Sequence, residues 1–202
     1  MKEWIGMYKF RGHERYAPLL TALMIQAFQA MSEEQNSALA KEPPAPVAHL
    51  AKPAQQTKPQ WRPDAVTYVP VSGERLAERG FNQAERLAAG LATACRLPII
   101  DLLRRQINTT KQSFKSRGER IETMKNAFSI NPDGMQLIEK LYRGSHLSTE
   151  KGISHAKPIQ ILLIDDIYTT GSTLDACGQV ILNAGFSMEL PVEIFTLTLA
   201  RS

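Results

Sequence analysis

Long apolar runs are missing from this chain. Nothing in its 202 residues approaches the roughly 20 consecutive apolar positions that cross a bilayer. The opening Met1-Lys-Glu-Trp-Ile-Gly6 has no apolar core, so no signal peptide is visible and a cytoplasmic location is expected. Cysteine is scarce: Cys95 and Cys177 both fall on expected apolar helix faces, which excludes a disulfide framework and a metal-binding cysteine pair. The four histidines, His13, His49, His146 and His155, lie in expected loops or linkers without ligand spacing. No Ser-His-Asp, Cys-His or zinc-ligand constellation can be assembled. The phosphate loop G-x-x-x-x-G-K-[ST] and the dinucleotide fingerprint G-x-G-x-x-G are absent as well. What remains, at 43% apolar and 22% charged residues, suits one α/β domain with an ample core and perhaps a small appendage.

The most informative stretch that is present runs from Ile161 to Leu174. Ile161-Leu-Leu-Ile164 reads as a strand buried on both faces. Asp165 and Asp166 stand where that strand is expected to end. Thr169, Thr170, Gly171, Ser172 and Thr173 then lead into a helix. A hydroxyl-rich loop at a helix N-terminus gathers backbone N–H groups, hydroxyl donors and the positive end of the helix dipole, which is a phosphate site. The acid pair beside it can accept hydrogen bonds from sugar hydroxyls. A Walker B strand is a competing reading that lacks its partner loop, and a plain strand–turn–helix with Ser172 or Thr173 as cap is another. The motif as a whole resembles the ribose-5-phosphate signature of type I phosphoribosyltransferases.

Charge is unevenly placed. The whole chain carries a net +4, yet the segment Arg104–Lys125 alone holds seven bases against two acids. Beside a phosphate motif such a segment points to a polyanion, either a pyrophosphate or a nucleic-acid backbone, although a solvated face is the usual meaning of a charge run.

Along the chain, Pro18 opens a helix whose core stripe is Leu20, Leu23, Met24, Ala27, Phe28 and Met31. Residues 1–35 form an N-terminal helical segment, 36–63 a Pro-rich linker or insertion with six of the twelve prolines, and 64–202 the main domain. A strand over Ala65–Val71 precedes a turn at Ser72-Gly73. The next helix has Asn82 as N-cap and Glu85 at capping-box spacing, buries Ala84, Leu87, Ala88, Leu91 and Cys95, and is expected to end at Pro98. A short strand is expected around Leu97–Leu102. Asn131–Pro158 reads as a surface insertion with a short helix over Met135–Tyr142. After the hydroxyl loop, Leu174, Cys177, Ile181 and Leu182 face inward, Asn183-Ala-Gly185 stops the helix, and Val192–Leu199 closes the chain as a strand. Strand–helix–strand alternation predicts an α/β fold with a mostly parallel sheet flanked by helices, whose ligands bind beyond the carboxyl ends of the strands.

Further segments narrow the resemblance. Tyr8-Lys-Phe-Arg-Gly12, Val69-Pro-Val-Ser72, Arg75-Leu76, Arg79-Gly-Phe-Asn-Gln83, Thr110-Lys-Gln112, Asn126-Ala-Phe128 and Leu199-Ala-Arg201 are similar, in order, to segments of the ComF competence family. That resemblance implies a type I phosphoribosyltransferase-like fold, binding of phosphoribosyl pyrophosphate with Mg²⁺ carried mainly by the ligand, and a part in DNA uptake during natural transformation. By the same resemblance Asp165 and Asp166 take the ribose hydroxyls and act as the catalytic pair, and Thr169–Thr173 cradle the 5-phosphate. Val71, Ser72, Gly73 and Arg75 form the pyrophosphate loop. Arg104, Arg105, Lys111, Gln112, Arg117 and Arg120 belong to a mobile basic loop. The family's usual cysteine-rich zinc module has no counterpart before Cys95.

Three functional readings follow: a phosphoribosyl pyrophosphate-binding protein of the competence machinery, with or without transferase chemistry; a nucleobase salvage phosphoribosyltransferase; and a non-enzymatic adaptor holding single-stranded DNA or a helicase. Phe114 is the one aromatic inside the basic run, so that run lacks the interleaved rings of a stacking platform.

Overall fold

The structure is a computed structural model that describes residues 16–41, 60–106, 127–146 and 157–201. Its centre is a three-stranded parallel sheet in the order β1-β4-β5, with β1 Ala65–Tyr68, β4 Ile159–Tyr168 and β5 Val192–Arg201. An antiparallel ribbon of β2 Leu103–Arg105 and β3 Phe128–Ile130 lies beside it. Helices α1 Ala17–Leu39 and α3 Gln83–Cys95 cover one face, while α4 Pro132–His146 and α5 Ser172–Ser187 pack with the ribbon on the other. The short α2 Gly73–Arg79 joins β1 to α3. This is the α/β architecture expected from the sequence, a parallel sheet flanked by helices.

Strand β4 explains the layering. Ile161 and Leu163 enter the core under α5, Leu162 and Ile164 the core under α3, and all four are fully buried. Each such side chain contributes about 1.5–3 kcal/mol on burial, which makes a double-sided strand the natural centre of the domain. On α1 the buried stripe is Leu20, Met24, Phe28 and Ser32, a strict four-residue repeat that leaves Leu23, Ala27 and Met31 half-buried. Trp61 fills the space between Phe28 and Phe195, with ring centroids 6.0 and 4.8 Å away.

The structure differs from the sequence reading at several element ends. Helix α1 runs through Asn36 to Leu39, and Trp61 and Pro63 are buried, so both borders of the Pro-rich segment belong to the packed domain. Helix α3 ends at Cys95, two residues before Leu97, because Arg96 adopts the left-handed conformation at φ 53°. The guanidinium of Arg62 donates to the Cys95 and Arg96 carbonyls exposed there. The strand expected over Leu97–Leu102 is one parallel bridge, Ile99 with Val66, and the regular strand begins at Leu103.

Two glycines read as punctuation turn out to be contact points. Helix α5 continues through Gly185 to Ser187, and a Cβ on Gly185 would lie 2.6 Å from Val192 Cγ2. Gly185 therefore lets α5 approach β5, while Leu182 faces outward. The region 131–158 is also more than a surface insertion. Met135 and Ile138 of α4 enter the core, and a Cβ on Gly134 would collide with the Asp101 carbonyl. Helix α4 is docked on the backbone between Asp101 and Leu102, where Asn131 donates to the Asp101 carbonyl and its N–H to that of Leu102. Gly134→Ala is accordingly expected to destabilise the protein by about 1–3 kcal/mol in urea unfolding. An unchanged midpoint would show that the α4 contact has slack.

Candidate functional site

The site arises from unequal strand lengths. Tyr68, the last residue of β1, pairs with Ile164, whereas β4 continues to Tyr168 and stays paired with β5 as far as Arg201. The acid pair thus lies within a longer strand instead of at its end, beside the gap left where β1 stops. Consecutive strand residues point to opposite faces, yet Asp165 and Asp166 both line one cleft, because the cleft lies across the carboxyl end of the sheet. Both are half-buried, and the Asp166 N–H donates to Asp165 Oδ1 at 2.9 Å. The cleft encloses about 210 Å³.

One wall comes from the hydroxyl loop. Thr169 and Thr173 line the cleft, while Thr170 and Ser172 pair their hydroxyls at 2.8 Å on the exposed side. Gly171 is required twice over. Its φ is +78°, and a Cβ there would sit 2.7 Å from the Tyr168 hydroxyl. It caps α5 with no side-chain bond, so neither Ser172 nor Thr173 is the cap and the first-turn N–H groups face outward from the helix. The Tyr168 ring that supports this turn is covered in turn by Arg201, whose guanidinium lies 5.4 Å from the ring centroid. The Leu199-Ala-Arg201 segment therefore braces the hydroxyl loop, a role its position as a closing strand did not reveal.

The opposite wall comes from β1 and the two helices after it. The expected turn at Ser72-Gly73 is the start of α2: the Ser72 hydroxyl accepts from the Arg75 N–H, and Gly73 is the first helical residue. Val71 and Arg75 line the cleft, whereas Ser72 and Gly73 do not. Beyond the left-handed Gly80, Asn82 works in both directions. Its Oδ1 caps α3 by accepting from the Ala84 N–H at 3.1 Å, and its Nδ2 donates to the Val69 carbonyl at 3.0 Å. Arg79 and Gln83 line the cleft together, joined by a 3.0 Å bond from Arg79 Nη1 to Gln83 Oε1.

Arg104 and Arg105 sit on β2 and are not part of a mobile loop. They part company there, since successive strand residues face opposite ways. Arg104 turns to Asn131, at 2.8 Å, and to Asp133. Arg105 stacks over Phe128, 5.3 Å from the ring centroid, and lines the cleft. Burial, and then the neighbouring guanidinium of Arg75, hold the Arg105 pKa below the ordinary arginine value. At the back of the cleft the Cys177 thiol is pushed well above its usual range, by burial first and by Asp165 second, while Arg105 pulls the other way. Three guanidiniums, those of Arg75, Arg79 and Arg105, and two carboxylates line the same cleft. Such a combination suits a ligand that carries both anionic groups and hydroxyls.

Lys111, Gln112, Arg117 and Arg120, with most of the basic segment and Tyr8–Gly12, lie outside the described residues. Among the described residues no helix is long and apolar enough to cross a membrane. No group of three or more His, Cys, Asp or Glu among them could hold a metal ion.

The chain is similar to curated competence and DNA-utilization proteins. The chain is 33% identical over 134 residues to "Competence protein ComFC" of Bacillus subtilis (strain 168), which is 66% of this chain and 43% of that protein. It is 30% identical over 172 residues to "DNA utilization protein YhgH" of Escherichia coli O6:H1, 84% of this chain and 64% of that protein. "Competence protein F" of Haemophilus influenzae is 29% identical over 124 residues, 61% of this chain and 46% of that protein. These similarities support the assignment of the chain to the ComF family. It spans less than two thirds of the length of each of these relatives. No family model matches the chain.

Within this ComF-family chain, the Arg79–Gln83 segment has a structural task that can be measured. Asn82→Ala removes both a helix cap and the donor to a buried carbonyl, and is expected to cost about 2–4 kcal/mol in urea unfolding. Asn82→Ser, which keeps a capping oxygen but cannot reach Val69, should recover roughly half of that loss. An alanine variant as stable as the wild type would contradict both roles.

Proposed function

We propose that the cleft binds phosphoribosyl pyrophosphate and that the protein acts in the handling of DNA during natural transformation. The observation that carries the ligand assignment is the meeting of three groups in one cleft. These are the half-buried pair Asp165–Asp166, the hydroxyl loop at the start of α5, and the paired guanidiniums of Arg75 and Arg105. The carboxylates accept from the ribose 2- and 3-hydroxyls. Thr169, Thr173 and first-turn N–H groups of α5 take the 5-phosphate, helped by the helix dipole. Arg75 and Arg105 face the pyrophosphate. The role in DNA uptake draws its support from the relatives named for competence and DNA utilization. Single-stranded DNA and a helicase of that machinery are the partners in this reading.

A Mg²⁺ would be carried mainly by the ligand, and Asp165 and Asp166 are the carboxylates in the cleft that could help to hold it. When bound, the ion would neutralise part of the pyrophosphate charge. The protein's own contributions are then geometric and electrostatic. If transfer occurs, the bond from C1 to the pyrophosphate oxygen breaks with its electron pair leaving on oxygen. The cationic sugar lies beside Asp165 and Asp166, and an acceptor lone pair forms the new bond to C1. Fixed carboxylates beside a developing positive charge lower that barrier without any covalent intermediate.

Calorimetric titration with phosphoribosyl pyrophosphate and Mg²⁺ tests the ligand. The wild type should bind saturably, and Asp165→Ala/Asp166→Ala should lose at least about tenfold in affinity, the scale of a lost charge-assisted hydrogen bond. A folded wild type that shows no heat of binding refutes the assignment. In a deletion strain, transformation restored by the wild type and not by the double variant would tie the ligand to DNA uptake. Restoration by both would separate the two.

A further inference from the structure

Among the described residues that line the cleft, Gln83 alone has a side-chain polar atom that is both deeply buried and unused. Its side chain is 2% exposed, and its Nε2 has no hydrogen-bond partner in the structure. Leaving a buried amide N–H without a partner is costly, so such a group marks a place where something else is to be bound. The orientation of the amide is fixed on the other side: Oε1 accepts from Arg79 Nη1 at 3.0 Å. What Gln83 offers the cleft is therefore a donor only, and its complement is an acceptor atom on the ligand.

Acceptors already present in the cleft do not take this role. Asp165 and Asp166 line the same space, yet neither bonds Gln83 Nε2. The backbone around Gln83 is locked as well. Asn82 ties this end of α3 to the Val69 carbonyl and caps its first turn, so the backbone that carries Gln83 is held in place. Gln83 lines the cleft together with Arg75, Arg79 and Arg105.

We infer that Gln83 Nε2 donates to a pyrophosphate oxygen of the ligand, with Arg79 holding the amide in the donating orientation. This rests on the reading of the cleft as a phosphoribosyl pyrophosphate site. A neutral donor set among guanidiniums adds direction where the cations supply attraction. A phosphate oxygen placed on the amide is fixed in rotation as well as in position. In this arrangement Arg79 is a positioning residue, and the ligand contact belongs to Gln83.

Gln83→Glu is the informative variant. The carboxylate has nearly the same shape, keeps an oxygen for Arg79, and replaces the donor by a negative acceptor. The experiment titrates wild type and variant separately with inorganic pyrophosphate plus Mg²⁺ and with ribose 5-phosphate, and records the melting temperature of each. The expected result is a loss of roughly tenfold to a hundredfold in pyrophosphate affinity, an unchanged ribose 5-phosphate affinity, and a melting temperature no lower than that of the wild type. Unchanged pyrophosphate binding would overturn the role of Gln83 and leave the cleft reading standing. An equal loss for both ligands would overturn the assignment to the pyrophosphate end. A wild type that binds neither ligand would overturn the cleft reading and this inference with it. Gln83→Met, which removes the donor without adding charge, should show the same selectivity with a smaller loss.

Discussion

Everything in this molecule is arranged around the parallel pairing of β4 with a short neighbour on one side and a long one on the other. The hydrophobic run Ile161–Ile164 needs cover on both faces, and helices from both ends of the chain supply it. Once those four residues are fixed, the next two have no freedom of place. Asp165 and Asp166 must emerge beside the end of β1, where the chain leaves the sheet at Val69. The acids are half-buried because the strand that carries them is held by a fully buried stem.

The rest of the cleft is built by pairs of residues that restrain one another. Tyr168 presses on Gly171 and is itself covered by Arg201, so the hydroxyl loop is shaped from beneath. Asn82 joins α3 to the end of β1, which sets the distance between the acid-bearing strand and the wall that carries Arg79 and Gln83. Phe128 supports Arg105 from behind. Each functional side chain thus rests on a neighbour whose main task is mechanical. Such support lowers the ordering cost when a ligand binds, because few rotamers remain to be lost.

Much of this was legible in the sequence, and the residues show why. A run such as Ile161–Ile164 can be satisfied only by a double-sided core, and the acid pair with the Thr-Gly-Ser loop has a spacing that few other structures require. Element ends were harder. Arg96 stops α3 with a left-handed conformation that non-glycine residues seldom adopt, so Pro98 drew the boundary instead. Gly134 and Gly185 look like breaks in one dimension, but in three dimensions they are where a helix touches a backbone or a strand. Arg104 and Arg105 look alike in a basic run, and only the alternation of β2 sends one to α4 and the other to the cleft. The stacking of Arg201 on Tyr168 joins residues 33 positions apart through the β4–β5 register, which no local pattern encodes.

That register has a consequence for the order in which the chain matures on the ribosome. Until β5 has been synthesised, β4 presents an open edge of unpaired backbone groups along its whole length, and Tyr168 has no cover. The nascent protein therefore carries this apolar strand as a sticky edge until its partner follows, 33 positions later, a hazard for aggregation and a reason to engage chaperones. Final closure of the sheet and completion of the hydroxyl loop are the same event, so a chain that fails to dock β5 is at once misfolded and unable to hold a ligand.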